Sequence, residues 1–535
     1  MDKKYLLAAE ADKIQNAVFH SSRLREVAGA SSLLARFCQE EAKKMAEDSY
    51  NGKVYVSDGG AFRIVFPVKE KAIEFGQELK RRYRAAMGAE ITVADPVEFT
   101  NNEKEAMQQA QKNLREAKAH TAAFTATAQN PFTAFCGSCG TGLAAAYTKQ
   151  MADDAGKMYL CKSCLNKKEE RERNRYRLHE PLYERITGEK YNKENWFTHV
   201  TKTEDLKFLD RRSYVAYIVA DGNAMGEIFS KCDKLDTLKS LSDNLQSIMY
   251  DSLEEATAKL MALTGAEPDG TWLIPVWPLI LAGDDLFAVI PAPWSLDFAH
   301  QFAKNYEKKL TEFLAKNLNW SDTKATIGVA VVICKANYPY SLAHQVGEYL
   351  LGQAKKMSKR YKVEHGGDLS SVINFTVITG SQLAFSSEEE LGEFRPTLRP
   401  YWLEDKEKTG WGIPIQRLIE QRYALRSIPK KRLAELRAHF DKLRHLSFTE
   451  EDKSMLAAWK HQLERILTRI LEVSGDERQK LIKNCLEELG GQNGFYEVDR
   501  ATDKEIWHGH ALPDLLDVWD YALDMDKSKR EYEED

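Results

Sequence analysis

No stretch of this 535-residue chain stays apolar long enough to cross a bilayer, and its opening, Met-Asp-Lys-Lys-Tyr, lacks the apolar core of a secretory signal. A membrane-bound or exported protein is therefore not expected; a cytoplasmic one is. Excess charge is missing too, because 76 Lys and Arg against 81 Asp and Glu leave a net charge of only −5. The chain as a whole does not advertise a binder of polyanions, and the mixed run Lys167 to Arg175 reads as a solvated helix. Cysteine is sparse. Of eight residues, Cys38, Cys232, Cys334 and Cys485 are scattered through regular elements, a usage that suits reduced thiols rather than a disulfide scaffold.

The length implies three or four domains, and 43% hydrophobic content is ample for their cores. The other four cysteines form two C-x₂-C knuckles, Cys136-Gly-Ser-Cys139 and Cys161-Lys-Ser-Cys164, with 21 residues between them. Four thiolates in this spacing fit one tetrahedral Zn²⁺, with paired disulfides as the alternative. A closed Cys₄ shell leaves no open position, so such an ion folds and orients the segment without catalysing anything.

Ala282-Gly283-Asp284-Asp285 lies between two apolar runs, and Asp221-Gly222-Asn223 ends the run Tyr214 to Ala220. Asp and Gly are ordinary turn residues, so a structural turn is the plain alternative to a metal site. The order of elements favours the site. Helices near 226–232 and 235–263, the hairpin, a helix near 296–318, a strand at 325–333 and a helix at 340–359 spell a ferredoxin-like core with one added helix. In that core the first strand lies beside the hairpin, which brings Asp221 to Asp284 and Asp285. Three carboxylates so placed suit Mg²⁺ (or Mn²⁺) and nucleotidyl transfer from ATP. Gly222 and Gly226 are read as small residues that let backbone N–H groups approach a triphosphate, and Lys355 or Lys356 as reaching its phosphates or as a solvated helix end.

Residues 1–125 repeat the same order of elements. Setting Gly59 against Gly283 puts Phe62 opposite Leu286 and replaces the aspartate pair with Gly60 and Ala61, so this copy is not expected to hold metal. Gly29-Ala30-Ser31-Ser32 is read as preceding a helix, its N–H groups open to a second nucleotide's phosphates, or else as plain N-capping by Ser31 or Ser32. Beyond residue 380, stripes such as Leu433, Leu436, Phe440, Leu443 and Leu463, Ile466, Leu467, Ile470, Leu471 mark amphipathic helices. His508, His510 and Asp514 suggest a metal site, but Asp514 follows Pro513 in the pattern of a helix start, and an ordinary turn is the favoured reading. The segment 527–535 reads as a frayed tail.

The Glu10-Ala-Asp12-Lys-Ile-Gln15 opening with Arg23-Leu-Arg-Glu26 and Gly29-Ala-Ser31, the Cys₄ module, Asp221-Gly-Asn223-Ala-Met225-Gly226 and the Ala-Gly-Asp-Asp hairpin resemble the large polymerase/cyclase subunit of type III CRISPR effector complexes, the Csm/Cmr family. The similarity runs in order to about residue 380. It implies an α+β chain of two face-to-face palm domains that converts ATP into cyclic oligoadenylates when the complex holds target RNA. It also implies guide RNA and the other type III subunits as partners and metal-binding aspartates at Asp221, Asp284 and Asp285; the expected nucleotide contacts are Gly222, Asn223, Gly226, Gly283, Lys355, Gly29 and Ser31. Three departures stand out: Ala282 where the family has a second glycine, Asn223 where it has aspartate, and no His-Asp dipeptide, so that DNA cleavage by an HD nuclease is not expected. The expected organisation is a degenerate first palm (1–125), a zinc module with linker helices (126–205), a catalytic second palm (206–380) and a helical C-terminal domain (381–535). A free-standing signalling nucleotidyltransferase and an inactive ribonucleoprotein scaffold are the rival readings.

Overall fold

The computed structural model describes residues 3–12, 14–21, 23–120, 133–149, 156–174, 177–191, 197–200, 203–206, 209–210, 212–264, 272–379, 397–405, 412–442, 450–472, 475–490, 496–499 and 506–528. Its organising feature is one sheet built twice. In the N-terminal copy β1 (Lys4–Ala11) is followed by α1 (Ile14–Phe19) and α2 (Leu24–Arg36), which runs on through wider π-helical turns at Phe37–Ala42 and Met45–Ser49. The hairpin β2 (Lys53–Asp58) and β3 (Ala61–Phe66), helix α3 (Lys69–Met87) and β4 (Ile91–Val93) complete the unit; β5 (Val97–Phe99) and α4 (Glu103–His120) are added to it. The strand order is β2-β3-β1-β4, with β5 also pairing β1. Alternation decides the faces: Leu7, Ala9, Phe62, Ile64 and Phe66 join α2 and α3 in one core, while Leu6, Ala8 and Val65 meet α4 in another.

A small ribbon, β6 (Ala146–Thr148) and β7 (Met158–Leu160), leads into α5 (Lys162–Arg173) and α6 (His179–Thr187). Then β8 (Phe197–His199) comes before the second copy, whose first strand is β9 (Tyr214–Gly222), followed by α7 (Met225–Ser230) and α8 (Leu235–Thr264). After β10 (Trp272–Ile274), which pairs β8, come the hairpin β11 (Trp277–Ala282) and β12 (Asp285–Pro291), α9 (Ser295–Asn317), β13 (Ile327–Lys335) and α10 (Tyr340–His365). The order β11-β12-β9-β13 reproduces that of the first sheet. Every residue of β9 from Tyr214 to Ala220 is buried, as befits a central strand covered on both faces.

The second sheet continues past residue 380. β14 (Val372–Val377) runs parallel to β13, and β15 (Tyr401–Trp402) pairs β14 from the far side of the segment 380–396. The C-terminal helices α11 (Ile415–Leu425), α12 (Lys430–Asp441), α13 (Glu450–Glu472) and α14 (Asp476–Gly490), the hairpin β16 (Tyr496–Asp499) and β17 (Ile506–Gly509), and α15 (Ala511–Asp517) follow. Leu418, Leu436, Ile466 and Leu515 share one continuous core with Ile218, Leu286 and Leu310 of the second palm. The apolar stripes are core, as expected, except that Leu443 lies outside the described residues. Residues 529–535 of the expected tail, and the side chain of His508, also lie outside them.

Asp514 is not a metal ligand in waiting. It is fully buried and accepts hydrogen bonds from Leu398 N (2.8 Å), Tyr401 Oη (2.8 Å), Arg399 Nε (2.7 Å) and Thr397 Oγ1. This network fastens the β15 segment to α15. Removing Arg399 would strand a buried carboxylate, a loss of roughly 3–5 kcal/mol.

Candidate nucleotidyl-transfer site

The three aspartates meet where the second sheet's central strand ends. β12 pairs β9 so that Asp285 faces Asp221, and Asp284 precedes it in the turn. Ala282 pairs Asp285 across a two-residue loop, Gly283-Asp284, in which only Gly283 has a positive φ (60°). That is the pattern of a type II′ turn, with glycine at its first central position. Ala282 is outside the left-handed region, so alanine there carries no backbone cost.

Charge is crowded here. Burial, then the charges of Asp285 and Asp221, then a hydrogen bond with Asp221 hold the Asp284 carboxyl well above the ordinary carboxylate range. Asp285 is pushed up to about 7 by burial and Asp221, although Lys355 pulls the other way. Lys355, on α10, makes an ion pair with Asp221 and donates to the Gly222 carbonyl at 3.3 Å. Glu348, two turns earlier on α10, is raised as well, by burial first and then by Asp221. The cluster therefore has more negative charge than its single lysine offsets, and a hard cation with oxygen preference would relieve it. The donor set fits Mg²⁺ or Mn²⁺, with Asp221, Asp284 and Asp285 as the residues that would hold it.

The remaining expected contacts divide. Gly226 borders open space in the cavity wall, so its backbone is accessible. At Gly222 a β-carbon would meet Met225 Cγ, Asp284 Oδ2 and Tyr306 Oη at 2.8–3.0 Å, so the residue is small to admit the aspartate. Asn223 is buried, its N–H donating to Thr326 O (2.8 Å) and its amide to Thr326 Oγ1 (3.1 Å), which fixes the loop before β13. Lys355 is turned to Asp221. The reading of Gly29-Ala30-Ser31-Ser32 as a helix N-terminus is corrected, since α2 starts at Leu24 and these residues lie inside it, their N–H groups within the helix. Gly29 is small because an added methyl would strike the Lys167 carbonyl of α5, and Ser32 donates to the buried Glu170 (3.2 Å). Ser31 alone of the four borders the cavity.

That cavity, about 670 Å³, lies between the two sheets' ends. The first palm lines it with Glu10, Asp58, Gly59, Arg63 and, from one face of α4, Lys104, Lys112 and Arg115; the second lines it with the three aspartates, His344 and Glu348. An acidic floor thus faces a basic wall, the arrangement a metal-bound triphosphate needs. Lys104, Gln108, Gln111 and Arg115 were missed from sequence, although their spacing of three and four along one helix is the signal that finds them.

The cysteines converge as their spacing requires. Cys136, Cys139, Cys161 and Cys164 place their sulfurs within 4.8 Å of one another, near the edge of about 3.8 Å that a tetrahedron of Zn–S bonds implies. Gly142 is obligatory, because a β-carbon would lie 2.7 Å from Cys161 Cβ, and its N–H donates to Cys139 Sγ at 3.4 Å. Among the described residues only these four converge so tightly; the aspartates are more open, one of them held by Lys355.

Residues 214–364 match the family model for the Cas10/Cmr2 second palm domain. No curated protein sequence matches the chain. Among solved structures it is similar to a chain of the Csm1-Csm4 cassette in complex with cA4 (14% identity, TM-score 0.43, 79% of this chain and 62% of that one). The same cassette in complex with cA3 gives 13%, 0.49, 98% and 70%, and Csm1 in T.onnurineus gives 14%, 0.43, 79% and 61%. The chain spans about 62% of the length of the first of these relatives. All three aspartates lie within the segment 214–364 that matches this second-palm model.

Proposed function

We propose that this chain performs metal-dependent nucleotidyl transfer on ATP, making cyclic oligoadenylates as the large subunit of a type III CRISPR effector complex. The observation that carries this reading is the register of Asp221 against Asp285, with Asp284 beside them, at the acidic floor of a nucleotide-sized cavity. The palm match and the cA4 and cA3 ligands of the similar cassette support the choice of substrate and product. Guide RNA, target RNA and the small subunits are the partners this reading assigns.

A divalent cation held by Asp221, Asp284 and Asp285 would lower the pKa of the attacking 3′-hydroxyl and neutralise the leaving pyrophosphate. The chain's own groups do the rest. Lys355 offsets Asp221 until a cation or phosphate competes for it. Lys104, Lys112 and Arg115 of α4 offer positive charge to phosphates across the cavity, and the buried strand ends hold the carboxylates where they are. No side-chain nucleophile takes part.

Incubation with ATP and Mg²⁺, with and without co-purified subunits and target RNA, followed by mass spectrometry of the products, tests the proposal. A new adenylate species that disappears in Asp284→Ala/Asp285→Ala supports it. Turnover by the chain alone favours a free-standing enzyme. No product under any condition leaves the scaffold reading.

A further inference from the structure

The Cys₄ segment carries a surface that nucleotidyl transfer does not use. Of the seven large apolar side chains that stand exposed among the described residues, the three aromatic ones, Phe135 (45%), Tyr147 (59%) and Tyr159 (50%), all belong to it. Tyr147 and Tyr159 are directly opposed across β6 and β7, their rings 4.9 Å apart. They are not needed inside: the segment's core is Leu160 with Cys136, Cys161 and Cys164, on the opposite face of the ribbon.

Lys149 directly follows β6 and Lys157 directly precedes β7, so two cations stand at the same end of the ribbon, next to the tyrosine pair. Two cations beside an open aromatic pair suit an anionic partner better than an apolar one. Exposed rings that can stack on any base, flanked by cations that can follow a phosphate chain, are the elements of a platform for single strands.

We propose that the outward face of the β6–β7 ribbon binds single-stranded nucleic acid, with Tyr147 and Tyr159 stacking on successive bases and Lys149 and Lys157 contacting the flanking phosphates. A duplex hides its base faces and is not a ligand of this surface.

The test uses the full-length, zinc-loaded chain and a fluorescent twelve-nucleotide oligouridylate, with oligothymidylate in parallel to distinguish RNA from DNA as the source. Tyr147→Ala/Tyr159→Ala should weaken binding about tenfold or more, while Tyr147→Phe/Tyr159→Phe, which keeps the rings, should retain it. Lys149→Ala/Lys157→Ala should weaken binding and flatten its salt dependence by about two counterions. Photocrosslinks from 4-thiouridine should map to the peptides holding Tyr147 and Tyr159. Unchanged affinity in the double alanine variant with its zinc content intact, crosslinks confined to other peptides, or equal affinity for duplex would each overturn the proposal.

Discussion

The two palms share a strand order and even a residue register, yet treat their carboxylates in opposite ways. Glu10 faces Ala61 as Asp221 faces Asp285, and Asp12 stands where Asn223 does, each donating its N–H to the residue before the fourth strand (Asp12 to Glu90 O, 3.0 Å; Asn223 to Thr326 O, 2.8 Å). In the first palm Glu10 accepts from Arg63 (2.8 Å) and Lys118 (2.7 Å); burial alone would raise it, but these two cations outweigh that and hold it below the usual range. In the second, burial and mutual repulsion lift Asp284 and Asp285. One carboxylate has been neutralised from within the chain. The other cluster leaves charge for something else to neutralise, and that difference, rather than the fold, separates the two strand ends.

The turns differ for a matching reason. Gly59 and Gly60 both have positive φ (53° and 80°), whereas in the second hairpin only Gly283 does, which leaves its next position open to aspartate. The largest expected effect therefore comes from removing the second palm's carboxylates: Asp284→Ala/Asp285→Ala should cut product formation on the order of a thousandfold, read by mass spectrometry, with little loss of melting temperature. Restoring an aspartate to the first palm should fail. Gly60→Asp combines the strained φ with a β-carbon 2.7 Å from Ile14 Cδ1 and 2.8 Å from Ala11 Cβ, and should cost about 2–4 kcal/mol in denaturant unfolding. A variant as stable as the parent would break the claim that the turns are distinct.

Proton linkage sharpens the contrast. With Asp285 raised from 3.8 to about 7, its contribution to stability is present at low pH and is lost as pH climbs toward 7, because ionising it in place is unfavourable. A divalent cation reverses that loss only once the proton has left. The Mg²⁺-induced rise in melting temperature should then be larger at pH 8 than at pH 6 and vanish in the double alanine variant; a rise independent of pH would place the cation elsewhere. The smallest effect belongs to Glu10→Gln, which weakens a half-buried pair and should cost about 0.5–1 kcal/mol, with no change in that Mg²⁺ response.

Much of this was legible in the sequence because the elements are long and strongly patterned. β9 reads as a buried run, α8, α9 and α10 as long amphipathic helices, and the Cys₄ spacing carries its own geometry. The start of α2 was not legible: Ser31-Ser32 imitates a cap and Gly29 imitates a breaker, but packing on α5 and the Ser32–Glu170 hydrogen bond keep these residues within the helix. Strand β15 was hidden because two residues, Tyr401 and Trp402, are too short a pattern to read, and their place in the sheet is set by burial and the Asp514 network. The equivalence of Glu10 with Asp221 was available from the i, i+2 spacing of Glu10-Ala-Asp12 and Asp221-Gly-Asn223, yet only the register makes it plain.

Helix α2 touches two very different places. On one side Gly29 sits without clearance against the α5 backbone that begins at the cysteine knuckle, and Lys167 of α5 reaches back to the Ala17 carbonyl at 2.6 Å. Two to six residues further on, Ser31, Leu34 and Ala35 form part of the cavity wall. The helix is a shaft with one flank locked to the cysteine-bearing helix and another against the cavity, with no soft layer between them. A displacement of the cysteine-bearing helix would therefore pass to the cavity wall rather than be absorbed on the way.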